Sequence, residues 1–125
     1  MKNRSFLDSL RHAFDGVKML LREERNMRIH LVMTVLVIAC AVLFGLTKTE
    51  TAIVISLCAA VICAELFNTA IENAINISTA VFNMYAKRAK DAAAGAVLII
   101  SIGAAVGGLI IFVPYGIDLI KYLIG

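Results

Sequence analysis

A chain of 125 residues, 61% hydrophobic, 17% charged and with a mean hydropathy of +0.89, is one domain's worth of sequence. It is too apolar for a small soluble fold, which runs about 45–50% apolar and has too much surface per unit volume to hide the excess. A free-standing soluble enzyme, a disordered chain, a collagen-like repeat and a disulfide scaffold are excluded, and a polytopic membrane protein is expected. The net charge is +3, and seven of the twelve Lys/Arg precede residue 29. Acidic residues are interspersed among them, so no nucleic-acid partner is expected; such a segment suits anionic lipid headgroups.

Lys2 and Arg4 lead into an amphipathic segment and not a continuous apolar core, so no cleavable signal peptide is expected. Over residues 6–25, Phe6, Leu7, Leu10, Ala13, Phe14, Val17, Leu20 and Leu21 recur at i, i+3, i+4, i+7 spacing. Asp8, Arg11, Asp15, Lys18 and Arg22 take the other face. This pattern predicts an amphipathic helix lying in the headgroup plane. Residues 29–47 hold no Asp, Glu, Lys or Arg and make a first span, since about 20 apolar residues suffice. Thr47–Thr51 reads as a short turn. A second span covers 51–72 and is apolar to Ala64; a third covers 92–117, with Pro114 and Gly116 expected to end or kink it. Ten Lys/Arg flank the N-terminal side and the Phe82–Lys90 loop, against Lys48 and Lys121 on the other side. This bias predicts a cytoplasmic N-terminus and an outward C-terminus. Cys40, Cys58 and Cys63 sit in apolar stretches and are expected to stay unpaired.

Three polar clusters interrupt this pattern. Glu65, Asn68, Glu72 and Asn76 fall at i, i+3, i+7 and i+11, one helical stripe with its two acids about 10 Å apart along the axis. Ionisable groups within a span are costly and face a partner, a cavity or a site; the bland alternative is that Glu72 and Asn76 solvate a helix end. Lys87, Arg88, Lys90 and Asp91 precede the run Ala92-Ala93-Ala94-Gly95-Ala96. Small residues allow close helix approach, which would bring Lys90 and Asp91 against the Glu-bearing helix. Glu23 and Glu24 join the surface helix to the first span. Carboxylates converging from two helices could hold Mg²⁺, a hard ion that prefers oxygen. No G-x-x-x-x-G-K-[ST] phosphate loop and no zinc-spaced Cys/His set is present, and His12 and His30 are isolated. Three helices by themselves are too few to enclose Glu65, Asn68 and Glu72, so self-association is expected on physical grounds.

Glu65-Leu66-Phe67-Asn68-Thr69-Ala70-Ile71-Glu72 and Ala89-Lys90-Asp91-Ala92-Ala93-Ala94-Gly95-Ala96-Val97 resemble the paired E-x-x-N-[ST]-A-I-E and A-K-D signatures of the small bacterial integral-membrane lipid kinases, the diacylglycerol and undecaprenol kinases. Glu23-Glu24-Arg25-Asn26 is most like the Gram-positive undecaprenol kinase branch. One departure is Asn76, where the family usually has an acid. The resemblance covers nearly the whole chain, residues 1–125, as a single domain. It implies an all-α integral membrane fold, a surface helix plus three transmembrane helices, assembled as a homotrimer in the plasma membrane. It implies ATP- and Mg²⁺-dependent phosphorylation of a membrane lipid hydroxyl, with undecaprenol the expected acceptor and diacylglycerol the alternative. It gives Glu65 the role of catalytic base, and Glu24 and Glu72 that of Mg²⁺ and nucleotide ligands. Asn68, Lys90 and Asp91 would shape the nucleotide and reaction site, and His12 would contact nucleotide. The alternative from another class is a small oligomeric transporter using Glu65 as its ion site.

Overall fold

The computed structural model describes residues 5–79 and 81–125; Lys2 and Arg4 of the basic segment lie outside the described residues. The fold is all-helical: α1 (Phe6–Glu23), α2 (Arg25–Phe44), α3 (Lys48–Ser78) and α4 (Met84–Ile124). The last three are each long and apolar enough to cross a membrane. The cysteines are free.

Local chemistry sets the helix ends. Ser5 and Asp8 form a reciprocal capping box that starts α1, and Thr47 with Glu50 forms another that starts α3. Such caps satisfy N–H groups that have no partner inside the helix. Gly45 ends α2 at φ 65°, a left-handed conformation that costs glycine little. The predicted turn Thr47–Thr51 is thus the first turn of α3, and the connection shrinks to residues 45–47. Asn83 accepts from the Tyr85 and Ala86 N–H groups at 2.8 and 3.3 Å and starts α4 there. Most of the expected Phe82–Lys90 loop is therefore helix. At the far end α4 runs through Pro114 and Gly116 to Ile124, so the expected end does not occur. Proline removes one donor, and a helix of this kind continues past it when its neighbours are in place.

Helices and apolar spans have different boundaries, because caps end the first and charges end the second. At about 1.5 Å per residue, α2 is about 30 Å long, α3 about 46 Å and α4 about 62 Å. A bilayer's hydrocarbon core is about 30 Å, so α3 and α4 are each longer than a straight crossing needs.

α3 packs most extensively on α4, then on α2, while α1 packs on α2 and touches α3. The apolar core of the described residues is small: Leu20, Met27, Ala41, Val54, Val61 and Ala93. Large side chains such as Val42, Leu43, Ile99 and Ile110 are exposed, as expected where lipid is the solvent. A cavity of about 480 Å³ opens between α2, α3 and α4, lined among others by His30, Val61, Ser101, Ala104, Gly108 and Phe112. Its floor exists because α4 presents small residues there. At Gly107, next to this lining, an added Cβ would stand 2.9 Å from the Leu57 Cδ1.

Candidate active site

The polar stripe lies where the α1–α2 joint meets α3. A single extended residue, Glu24 (φ −101°, ψ 122°), ends α1 and precedes α2. Its N–H donates to the Leu20 carbonyl at 2.8 Å. Arg28 reaches back so that its Nη1 donates to the Arg22 carbonyl at 2.9 Å and the Leu21 carbonyl at 3.4 Å. A cation on the last carbonyls satisfies acceptors that the helix itself leaves open. Leu20 and Met27, on either side of the joint, are buried.

Under this joint Glu65 is only 2% exposed, and Thr69, one turn on, is 5% exposed. Glu24, Asn26, His30 and Glu72 lie near the Glu65 carboxylate. Glu24, Asn68 and Glu72 are half-buried. The structure thus brings Glu24, Glu65, Asn68 and Glu72 together from two elements. In one chain the α1–α2 joint covers Glu65, while Asn68 and Glu72 stay half-buried and Asn76 is exposed.

Lys90 and Asp91 part company. Lys90 is half-buried and its Nζ donates to the Asn76 Oδ1 at 2.6 Å, linking α4 to α3. Asp91 does not face α3: it is exposed and pairs with Lys87 of its own helix at 2.6 Å. Successive helical residues point about 100° apart, so both cannot look at one neighbour. His12 is exposed on α1 and, among the described residues, makes no side-chain hydrogen bond. It stands about 18 Å along the helix axis from Glu24. The structure does not bring it to the carboxylates.

Asn26 and His30 were missed as neighbours of Glu65. They are i and i+4 on α2, a polar pair on one face of an apolar helix. That spacing was the available signal, and each residue considered singly hid it. His30 also lines the intramembrane cavity, so one side chain borders both the carboxylates and the apolar groove.

The donor set suits a hard cation. Glu24, Glu65 and Glu72 share a neighbourhood with His30, and the Asn68 Oδ1 is buried without a hydrogen-bond partner among the described residues. A buried acceptor left open is costly and fits an incoming donor or cation. Among the described residues no three such side chains are grouped closely enough to hold a metal unaided. Two carboxylates with phosphate oxygens and water completing the shell is how Mg²⁺ is commonly bound.

Residues 11–112 match the model of a family described as prokaryotic diacylglycerol kinase. The chain is 38% identical over 109 residues to the undecaprenol kinase of Bacillus subtilis, covering 87% of this chain and 89% of that protein. It is 38% identical over 112 residues to a diacylglycerol kinase of Synechocystis sp., covering 88% of this chain and 64% of that protein. With three apolar helices of spanning length and a family match across most of its length, the chain belongs to the prokaryotic diacylglycerol kinase family.

Proposed function

We propose that this lipid kinase transfers the γ-phosphoryl group of ATP, with Mg²⁺, to the hydroxyl of undecaprenol at the cytoplasmic face of a bacterial plasma membrane. The observation that carries the reading is the burial of Glu65 beside Glu24 and Glu72, at the point where α3 leaves its apolar stretch.

Glu65 accepts the proton of the acceptor hydroxyl while that oxygen forms its bond to the γ-phosphorus and the bond from phosphorus to the ADP oxygen breaks. A positioned base typically contributes about 10²–10⁴-fold. Burial under the α1–α2 joint keeps water, the competing acceptor, from Glu65. Glu24 and Glu72 would hold Mg²⁺ against the phosphates; the ion supplies charge neutralisation and orientation. Asn68 offers its open oxygen to the reacting groups, and Lys90 supplies positive charge near the phosphates. Phosphoryl transfer depends mainly on positioning and charge stabilisation, so a phosphate loop is not required. Asp91, through Lys87, and His12 would contribute at the nucleotide's outer end.

Undecaprenol is preferred over diacylglycerol because the aligned region spans most of the Bacillus undecaprenol kinase and a smaller share of the Synechocystis diacylglycerol kinase. The family does not favour a transporter. The proposed orientation, N-terminus in and C-terminus out, with α1 lying in the inner headgroup layer, is supported by the Lys/Arg bias. The proposed homotrimer is supported by the family resemblance, not by a need to shelter Glu65. Purified protein in mixed micelles with labelled ATP, Mg²⁺ and either undecaprenol, diacylglycerol or ceramide tests the assignment. Phosphorylated undecaprenol is expected as the main product. Preference for diacylglycerol would reassign the acceptor, and no lipid product with any of them would end the kinase reading. Crosslinking in mild detergent is expected to give three chains per particle; a stable, active monomer would remove the trimer.

A further inference from the structure

The cavity between α2, α3 and α4 is apolar along most of its length and polar at one end. His30 is the lining residue of α2 nearest the α1–α2 joint, and Ser101 is the lining residue of α4 nearest its Asn83 cap. On α3 the lining ends at Val61, and the next residue on that face, one turn on, is Glu65. Three contacts fix how α4 runs against α3: Lys90 with Asn76, the close approach of Gly107 to Leu57, and Tyr115 with Glu50. In that antiparallel register Ser101 falls level with Glu65. The polar end of the cavity therefore meets the carboxylates, with His30 near Glu65 and Ser101 at the same depth.

Ser101 differs from Ser56 and Ser78. Those two donate to carbonyls four residues back, Ala52 at 2.8 Å and Ala74 at 2.7 Å, the local outlet of a helical hydroxyl. The Ser101 Oγ is buried without a hydrogen-bond partner among the described residues, which is costly. We propose that Ser101 is an acceptor-binding residue, donating a hydrogen bond to the hydroxyl oxygen of a single-chain polyprenol whose first isoprene units lie in the cavity; the inference rests on the kinase reading. An alcohol oxygen has one proton and two lone pairs. Here the proton goes to Glu65, one lone pair accepts from Ser101, and the other is left for the γ-phosphorus.

The shape and lining of the cavity select the same class of acceptor. Its volume of about 480 Å³ is of ligand size, and Ser101 to Phe112 spans about 16 Å along α4. That length takes the hydroxyl-bearing end of a polyprenol and leaves the remainder in the bilayer. Beyond His30 and Ser101, Thr34 and Cys58 are the polar side chains of the lining. A diacylglycerol would bring two ester groups into this stretch, whose oxygens would lose water with few donors to replace it. A polyprenol brings one oxygen, to the one end built for it.

The test uses the purified full-length chain in mixed micelles. Ser101→Ala is expected to lower kcat/KM for undecaprenol roughly 3- to 10-fold, with the KM for MgATP and acceptor-free ATP hydrolysis unchanged, and Ser101→Thr to keep most of the parental value. Gly108 lines the cavity, and a Cβ added there meets nothing within 4 Å. Gly108→Leu should therefore fold and is expected to raise the KM for undecaprenol about tenfold or more by crowding the chain. A photoreactive farnesol reports occupancy without catalysis. Its crosslinks are expected on the lining segments of α2, α3 and α4, competed by undecaprenol and lost in Gly108→Leu. Parental kinetics in Ser101→Ala, or an equal loss toward MgATP, overturns the role of Ser101. Crosslinks confined to other surfaces of a product-forming parent overturn the cavity as the acceptor's seat and leave the kinase reading intact. A parent that crosslinks in the cavity but phosphorylates no lipid ends the kinase reading and leaves the cavity as a polyprenol site.

Discussion

The Tyr115 hydroxyl donates a 2.7 Å hydrogen bond to the Glu50 Oε2, tying the start of α3 to α4 across 65 residues of sequence. The same oxygen accepts from the Thr47 N–H and Oγ1 at 2.9 and 2.7 Å. Phe44, at the end of α2, stands 6.2 Å from Phe112 and 6.1 Å from Tyr115, measured between ring centroids. One carboxylate thus caps a helix and latches a second, and the aromatic cluster brings in the third. Tyr115→Phe keeps the ring and removes the latch. It is expected to lower stability by about 1 kcal/mol with kinase activity retained, because the latch lies about 22 Å along α3 from Glu65. Unfolding of the detergent-solubilised protein by increasing SDS, read by circular dichroism, measures this. An unchanged midpoint would mean that the bond contributes nothing to the stability of the solubilised protein.

Glu65→Gln is expected to reduce turnover by at least about 100-fold with much smaller changes in KM, since the amide keeps the shape of the acid and loses only its basicity. Product formation in micelles is the measurement, because micelles have no compartments and so report chemistry, not flux. Near-parental turnover would remove Glu65 as the base.

For Glu24→Gln and Glu72→Gln, each substitution removes one charged oxygen ligand, and the Mg²⁺ concentration for half-maximal rate is expected to rise by about tenfold or more. Helical content should be kept, because neither side chain is fully buried. A parental Mg²⁺ titration in both variants would take these residues out of the metal site.

Asn83→Cys is expected to resist an impermeant thiol reagent added outside intact cells, and Thr49→Cys to react, on a background with Cys40, Cys58 and Cys63 replaced by serine or alanine. Labelling of position 83 from outside would invert the topology. Asn83 is exposed and caps α4, so its protection would come from the membrane and not from burial in the fold.

The number of long helices was legible from gaps between charges, because nineteen residues without Asp, Glu, Lys or Arg leave few alternatives to a helix in lipid. The stripe from Glu65 to Asn76 was legible because helical periodicity alone puts those residues on one face. The burial of Glu65 was not. It depends on one extended residue turning α1 back over α3, and no periodicity encodes that angle. The divergence of Lys90 from Asp91 was within reach of sequence, since neighbours on a helix cannot share a face. The small-residue run drew attention to close approach and away from direction. The start of α4 was hidden because Lys87, Arg88 and Lys90 read as a solvated loop, whereas the cap that decides the matter is Asn83.

The joint between α1 and α2 gives the molecule a lever whose fulcrum is also its point of load. Glu24 is the one non-helical residue between two helices, and its side chain is the carboxylate that stands with Glu65 and Glu72. A swing of α1 about the ψ bond of Glu24 re-aims that carboxylate, and any ligand that holds the carboxylate arrests the swing. The direction of α1 and the placement of that carboxylate are therefore set by one and the same residue, and the Arg28 clasp on the Arg22 carbonyl holds both.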